Sequence, residues 1–286
     1  MQGQPVCKRL VEMGREVVNF DLRDGERWAQ HQVRADIADR AAVQAVFESF
    51  PFEAVIHLAS LLHTESWKNP DHAFDTNVLA SAYLLNLCRQ HDVNRFVFGS
   101  TVDAIGYLPL EACPVDESYD ILPSDFYGET KRFIEKMGKA YAEQYGMQFI
   151  SARIPFLVGP GEPSPTSAWR MDLFNLLPSG GVLQFGFPAE AVIPMVDCRD
   201  AAESIITLAL AEKVRHSIYH IPGESFQLSR LAEEVRRIGA GVEVRYGDKD
   251  THFYPPVVSY QRFYEEFKLP PVSLVRRLEE YRQGRE

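Results

Sequence analysis

Tyr127 and Lys131 stand four positions apart in the stretch Pro123-Ser124-Asp125-Phe126-Tyr127-Gly128-Glu129-Thr130-Lys131. On a helix that spacing puts both side chains on one face, one turn apart. A phenol has a reference pKa of about 10 and exchanges protons poorly at neutral pH, but an ammonium within a few ångströms favours the phenolate and lowers that value. The pair then becomes an acid/base for a substrate hydroxyl or carbonyl. The same spacing also fits a partly buried tyrosine beside a solvated lysine. A second stretch, Arg95 to Thr101, reads as a strand ending in two hydroxyls, Ser100 and Thr101. Ligands of open parallel sheets bind beyond the C-terminal ends of the strands, so a hydroxyl there can fix a substrate oxygen while the tyrosine exchanges its proton. An ordinary strand-end turn is the alternative.

Positioning these groups requires a sheet and a long helix. Pro123 and Ser124 mark a helix start, and Phe126, Phe133, Met137 and Tyr141 recur at helical spacing through to Tyr145. Short runs rich in Val, Ile and Phe read as strands at Glu16 to Phe20, Ala54 to Leu58, Arg95 to Phe98, Gln148 to Ala152 and Ser217 to Ile221. Helical patterns separate them at Val6 to Met13, Arg40 to Phe47, Pro70 to Gln90, Ser124 to Tyr145 and Asp200 to Glu212. Asn69 can cap the third of these, and Pro70 fits its first position. The alternation predicts an α/β fold, a doubly wound parallel sheet covered by helices.

Bulk properties narrow the function. At 286 residues the chain can bury a full core. A net charge of -10 argues against nucleic acid as a partner, since phosphate neutralisation needs a basic face. Cys7, Cys88, Cys113 and Cys198 have neither zinc spacing nor a disulfide framework, so no metal is expected and a reducing compartment is the simpler reading. No apolar run reaches membrane-spanning length and the start lacks a signal-peptide pattern, so a cytoplasmic protein with no membrane association is expected.

The first residues read as the second half of a dinucleotide-binding unit: a helix ending at Gly14, then a strand, Glu16 to Phe20, closed by Asp21. Gly3 falls where the last glycine of the phosphate turn would be, and Asp21 where an acid takes the adenosine ribose hydroxyls. The first strand and earlier glycines have no counterpart. Either Met1 is an internal methionine of a longer protein, or the chain is complete and binds a dinucleotide poorly. The first is the expectation here, because the residues after Gly3 keep the register of the unit. Without that strand a central position of the sheet is left open, with apolar neighbours and unpaired backbone groups. Asp36 and Ile37 close a further strand-like stretch and can flank an adenine, or serve as an ordinary loop. Val55 to Ser60 is a buried strand running into small residues, and His57 within it fits a satisfied core histidine.

Together these pieces resemble the extended short-chain dehydrogenase/reductase family, the NAD-dependent epimerases and dehydratases, over nearly the whole chain. The match is carried by Gly3 and Asp21, Asp36-Ile37, His57-Leu58-Ala59, Phe74 with Asn77-Val78, Ser100-Thr101 through Gly106, Tyr127 with Lys131, Arg153 with Gly159-Pro160-Gly161, and Asp200-Ala201-Ala202. The resemblance implies a Rossmann-like domain at 1–161 and 188–220 and a smaller substrate lobe at 162–187 and 221–286. It implies catalytic roles for Thr101, Tyr127 and Lys131, with Lys131 also holding the nicotinamide ribose. Cofactor contacts fall on Gly3, Asp21, Asp36, Ile37, Leu58, Ala59, Asn77, Tyr127, Lys131 and Ile154, and substrate contacts on Ser100, Thr101 and Phe156. Asp21 favours NAD over NADP, because a carboxylate repels a ribose phosphate, although Arg23 weakens that preference.

Two departures bear on the substrate. Val102 and Asp103 stand where the family's dehydratases carry an Asp-Glu pair, which disfavours dehydration. Phe156 and Ile193 stand where nucleotide-sugar enzymes usually carry an Asn and an Arg, and remove polarity from the diphosphate site. The expected function is oxidation or epimerisation at a secondary alcohol or ketone of a small molecule, either a sugar or a hydroxy-acid-like substrate. Nucleotide-sugar epimerase and small-substrate dehydrogenase both remain open. A non-catalytic dinucleotide sensor or scaffold is the alternative. A homodimer is expected through the helices at Pro70 to Gln90 and Ser124 to Tyr145, after the family's habit.

Overall fold

The computed structural model describes residues 3–23, 28–119, 121–162 and 168–285. The first half of the chain runs α1 (Gly3–Glu12), β1 (Val18–Asp21), β2 (His31–Arg34), α2 (Arg40–Ser49), β3 (Ala54–His57), α3 (His63–Lys68), α4 (Pro70–Phe74), a π turn (Asp75–Leu79), α5 (Ala80–Gln90), β4 (Arg95–Thr101) and α6 (Phe126–Tyr145). It continues through β5 (Gln148–Ile154), β6 (Phe156–Val158), α7 (Trp169–Asn175), β7 (Gly181–Gln184), β8 (Val192–Asp197), α8 (Cys198–Leu210), β9 (Ile218–His220), β10 (Glu224–Gln227), α9 (Leu228–Ile238), β11 (Val242–Arg245), α10 (Gln261–Phe267) and α11 (Leu274–Arg282).

Four strands form a parallel sheet in the order β3-β4-β5-β9, with Thr101 opposite Ile154 at the C-terminal end of the β4–β5 ladder. β1 and β2 pair in parallel as a separate two-stranded piece, Val18 opposite His31. Among the described residues no strand joins β1 to β3. All four β1 residues are half-buried, unlike the sealed interior of β4.

Apolar cores fill both faces of the sheet. Val97, Ile150 and Ala152 pack with α8 on one face, and Phe96, Phe98 and Phe149 pack with α2, α5 and α6 on the other. A third core joins Trp169, Phe174, Phe185 and Leu231 to Phe156, Ile193 and Tyr254, and makes the lobe beyond the strand ends. A β10-β8-β6 sheet and a β11-β7 pair frame that lobe.

Helix starts differ in detail from expectation. Asp125, not Pro123 or Ser124, caps α6, its carboxylate accepting from the Gly128 N–H at 3.0 Å. Pro70 does open α4, but Asn69 at the cap makes no side-chain bond there. Of the apolar stripe read from its sequence, Met137 and Tyr141 pack partly buried against the core, whereas Phe133 is 56% exposed. The sealed face carries Tyr127, Thr130, Lys131, Ile134, Glu135 and Gly138, because those polar groups find partners on the strand ends beneath.

Candidate active site

Gly128 lets the first turn of α6 lie against the 3-10 turn that follows β4. A Cβ at that position would meet the Asp103 carbonyl oxygen at 2.7 Å and Pro123 Cβ at 2.9 Å. This contact brings Tyr127 to the end of β4. Thr101 sits there, buried, its Oγ1 accepting from the Asp103 N–H at 3.2 Å. Ser60, on the loop after β3, is the third hydroxyl at the tyrosine and works to lower its pKa.

Lys131 is 2% exposed, which removes the solvated-lysine reading. Its Nζ donates to the Gly99 carbonyl at 2.8 Å and lies 4.7 Å from the Phe98 ring centroid and 5.7 Å from that of Tyr127. Burial pushes the ammonium down to about 7, with Glu135 opposing. The phenol moves opposite to the sequence expectation. Burial raises it above its ordinary value, Asp103 and Asp125 add to the rise, and Ser60 and Arg170 oppose it. The physical reason is that Tyr127 is sealed among acids while Lys131 aims at a backbone carbonyl. Burial and the two acids thus favour the protonated phenol.

The remaining predicted residues divide. Asn77 acts through the loop that carries Ser60: its amide accepts from the Leu61 N–H at 2.8 Å and donates to the Leu61 carbonyl at 3.0 Å and to Thr130 Oγ1 at 3.3 Å. It sits in the π turn, a local widening of a helix frequent at functional sites. Ser100 is turned away, its hydroxyl donating to Glu135 at 2.6 Å in a buried network with Ser151 and Arg153. Phe156 is buried under the Arg170 guanidinium, 4.8 Å from its ring centroid. His57 is a core histidine. Ser81 Oγ donates to the Asn77 carbonyl and so accepts from His57 Nε2 at 2.8 Å, and burial pushes the imidazole down to about 3.

Three contributors escaped sequence reading. Glu135 lies one turn beyond Lys131, so its place on the same face was available from spacing. Asp103 stands out only through its burial, which pushes its carboxyl up to about 7, with Asp125 adding to the rise and Arg170 opposing it. Arg170 arrives from α7, far away in sequence, and carried no signal.

A family model described as the NAD dependent epimerase/dehydratase family matches residues 1–221. The chain belongs to this family. Among curated relatives, UDP-glucose 4-epimerase of Halalkalibacterium halodurans is 36% identical over 149 residues, 50% of this chain and 44% of the relative. The chain spans about half the length of the first such relatives it matches. The fold is that of UDP-glucose 4-epimerase from Thermotoga maritima in complex with UDP-glucose, at TM-score 0.88 and 23% identity over 99% of this chain and 94% of that one. L-threonine dehydrogenase from Phytophthora infestans shares it at TM-score 0.87 and 20% identity, over 99% and 96% of the two chains.

The epimerase/dehydratase-family chain can be tested for its fit to NAD. Asp21 closes β1 with a half-exposed carboxylate that, among the described residues, accepts from the Arg23 N–H at 2.9 Å and keeps further acceptor capacity for ribose hydroxyls. Gly3, in the first turn of α1, has nothing within 4 Å of where a Cβ would stand. Asp36 takes the Ala38 N–H at 2.9 Å and holds the half-buried Ile37 beside it. Leu58 and Ala59 lie half-buried beyond β3, and Ile154 ends β5 opposite Thr101. The acceptor capacity of the Asp21 carboxylate suits a cofactor's ribose hydroxyls.

Proposed function

We propose that this chain carries out NAD-dependent oxidoreduction or epimerisation at a secondary alcohol or ketone of a small molecule. The observation that carries the reading is the convergence of the Tyr127 phenol, the Ser60 hydroxyl and the buried Lys131 at the end of β4, where Thr101 lies. Asp21, Asp36 and Ile37 would hold the adenosine end, and Leu58, Ala59, Ile154 and Lys131 the other. When bound, NAD would supply the hydride acceptor or donor. Tyr127, protonated in this fold, gives its proton to a carbonyl oxygen in the reductive direction and recovers one from the alcohol in the oxidative direction. Thr101 fixes that oxygen, while Asn77 orients the loop bearing Ser60. Lys131, near its own midpoint at neutral pH and one turn along the same helix face, is the ammonium that restores the phenol's proton.

Two further expectations belong to this reading. A second copy packs on the α4, α5 and α6 face, supported by Phe74, Leu79 and Phe133, which stand exposed there. The compartment is the cytoplasm, supported by four unpaired cysteines. Among the described residues no helix is long and apolar enough to cross a membrane.

Tyr127→Phe tests the reading. The variant is expected to bind NAD in calorimetry as the parent does and to lose turnover by about 10²- to 10⁴-fold, the usual worth of a general acid/base. Undiminished turnover would sink the mechanism. Unaltered NAD binding with no turnover in the parent would favour the non-catalytic sensor.

A further inference from the structure

Glu135 sits one turn beyond Lys131 on the buried face of α6 and is 3% exposed. Its Oε1 accepts from Ser100 Oγ at 2.6 Å, Ser151 Oγ at 2.7 Å and Arg153 Nε at 3.0 Å, and its Oε2 accepts from Arg153 Nη2 at 2.7 Å. One carboxylate therefore ties α6 to the two inner strands of the sheet, β4 through Ser100 and β5 through Ser151 and Arg153. The next residues along those strands are Thr101 and Ile154, which pair across the ladder. Lys131 grips the same strand end one residue earlier, its Nζ on the Gly99 carbonyl at 2.8 Å. A glutamate reaches this far because the helix lies close on the sheet: a Cβ at Gly138 would meet the Phe149 ring at 2.2 Å. Further along α6, Met137, Tyr141 and Ala142 pack as apolar side chains on the core of Phe96 and Phe149. The ionic contacts are thus gathered at the strand ends, where open parallel sheets bind their ligands.

We propose that Glu135 is a positioning residue of the active site, which holds Thr101 and Ile154 in register with Tyr127 and balances the ammonium of Lys131. This rests on the oxidoreductase reading above for the effect on rate, but not for the effect on Lys131. Tying Ser100 and Arg153 to α6 fixes where the strand ends stand relative to the helix, and a misplacement of about 1 Å can cost about 10²-fold in rate. A buried ion pair adds little net stability, which leaves geometry and charge as its contribution. The charge acts among several cations. Arg153 on β5 bonds the carboxylate, and Arg132 on α6 feels both of them. His57 on β3 and His220 on β9 are pushed down to about 3 by burial and by neighbouring cations, and so are neutral. Guanidinium groups keep their protons in proteins. Lys131 is therefore the group that yields its proton when the carboxylate's charge is removed.

The test compares the full chain with Glu135→Gln, which keeps the shape and removes the charge, and with Glu135→Asp, which keeps the charge and shortens the reach. In ¹³C-labelled protein the Cε–Hε signal of Lys131, identified as the one absent from Lys131→Met, is followed by NMR from about pH 5 to about pH 9. Its midpoint, about 7 in the parent, should fall by about 1 unit in Glu135→Gln and return towards the parent's in Glu135→Asp. Turnover with NAD is read alongside, and kcat should fall about tenfold or more in both variants, because neither holds Ser100 and Arg153 as the glutamate does. A folded Glu135→Gln protein with an unmoved Lys131 midpoint would overturn the proposal, and so would full kcat in Glu135→Asp. If neither variant folds, Ser100→Ala decides: it removes one bond from the tie and should lower kcat with the urea midpoint little changed, whereas an unchanged kcat would overturn the positioning role. A parent without turnover would remove the oxidoreductase reading, while the lysine titration would still decide the charge balance.

Discussion

Lys131 carries the clearest pH signature of any single side chain here. Its ammonium is pushed down to about 7 in the fold against an ordinary value of 10.5. Below pH 7 both folded and unfolded chains hold the proton, and the full penalty of burying it is present. Between about 7 and 10.5 the unfolded chain binds a proton that the folded chain lacks, so this group makes stability rise with pH, by up to about 1.4 kcal/mol per unit. Between pH 7 and pH 9, urea unfolding should show a rise in the parent that exceeds the rise in Lys131→Met by about 2 kcal/mol, that slope taken over nearly two units. An equal rise in both proteins would mean that Lys131 titrates normally. The pair of Tyr127 and Lys131 was legible in their spacing, but the direction of the phenol shift was not. Spacing puts two side chains on one face, whereas the shift depends on Asp103, Asp125 and Arg170, which arrive from other elements.

At the scale of elements, α6 is the positioning device, and Gly128 is where it touches β4's end. Glycine to alanine inside a helix ordinarily gains up to about 1 kcal/mol. Here the new Cβ would lie 2.7 Å from a backbone oxygen, which cannot swing aside. Overpacking of that kind costs about 1–3 kcal/mol, so Gly128→Ala should lower the urea midpoint and reduce turnover by displacing Tyr127 from Thr101. An unchanged midpoint would show that the turn has slack. The buried face of α6 was hard to read because it is polar. Glu135 accepts from Ser100, Ser151 and Arg153, so the burial that apolar periodicity assigns to Phe133 goes instead to an ionic network. Buried pairs of this kind hold geometry more than they add stability.

At the scale of the molecule, the helical face bearing Phe74, Leu79 and Phe133 is left open. If that face covers a partner copy, Phe133→Glu should convert a dimer to a monomer in light scattering, with the melting temperature falling by no more than the lost association accounts for. A parent that scatters as a monomer at every concentration removes the dimer.

The parallel order of strands, the helices between them, the strand-end hydroxyls and the Tyr-Lys pair followed from the sequence alone, since each rests on local periodicity or on residues a turn apart. The places of Gly3 at the start of α1 and Asp21 at the end of β1 were likewise readable, because both lie on one short segment. Tertiary structure alone decided that Ser100 turns to Glu135, that Asn77 acts through the Ser60 loop, and that the Arg170 charge acts on the tyrosine. Those contacts join segments tens of residues apart, and no local pattern encodes which charge will meet which once the lobe folds over the strand ends.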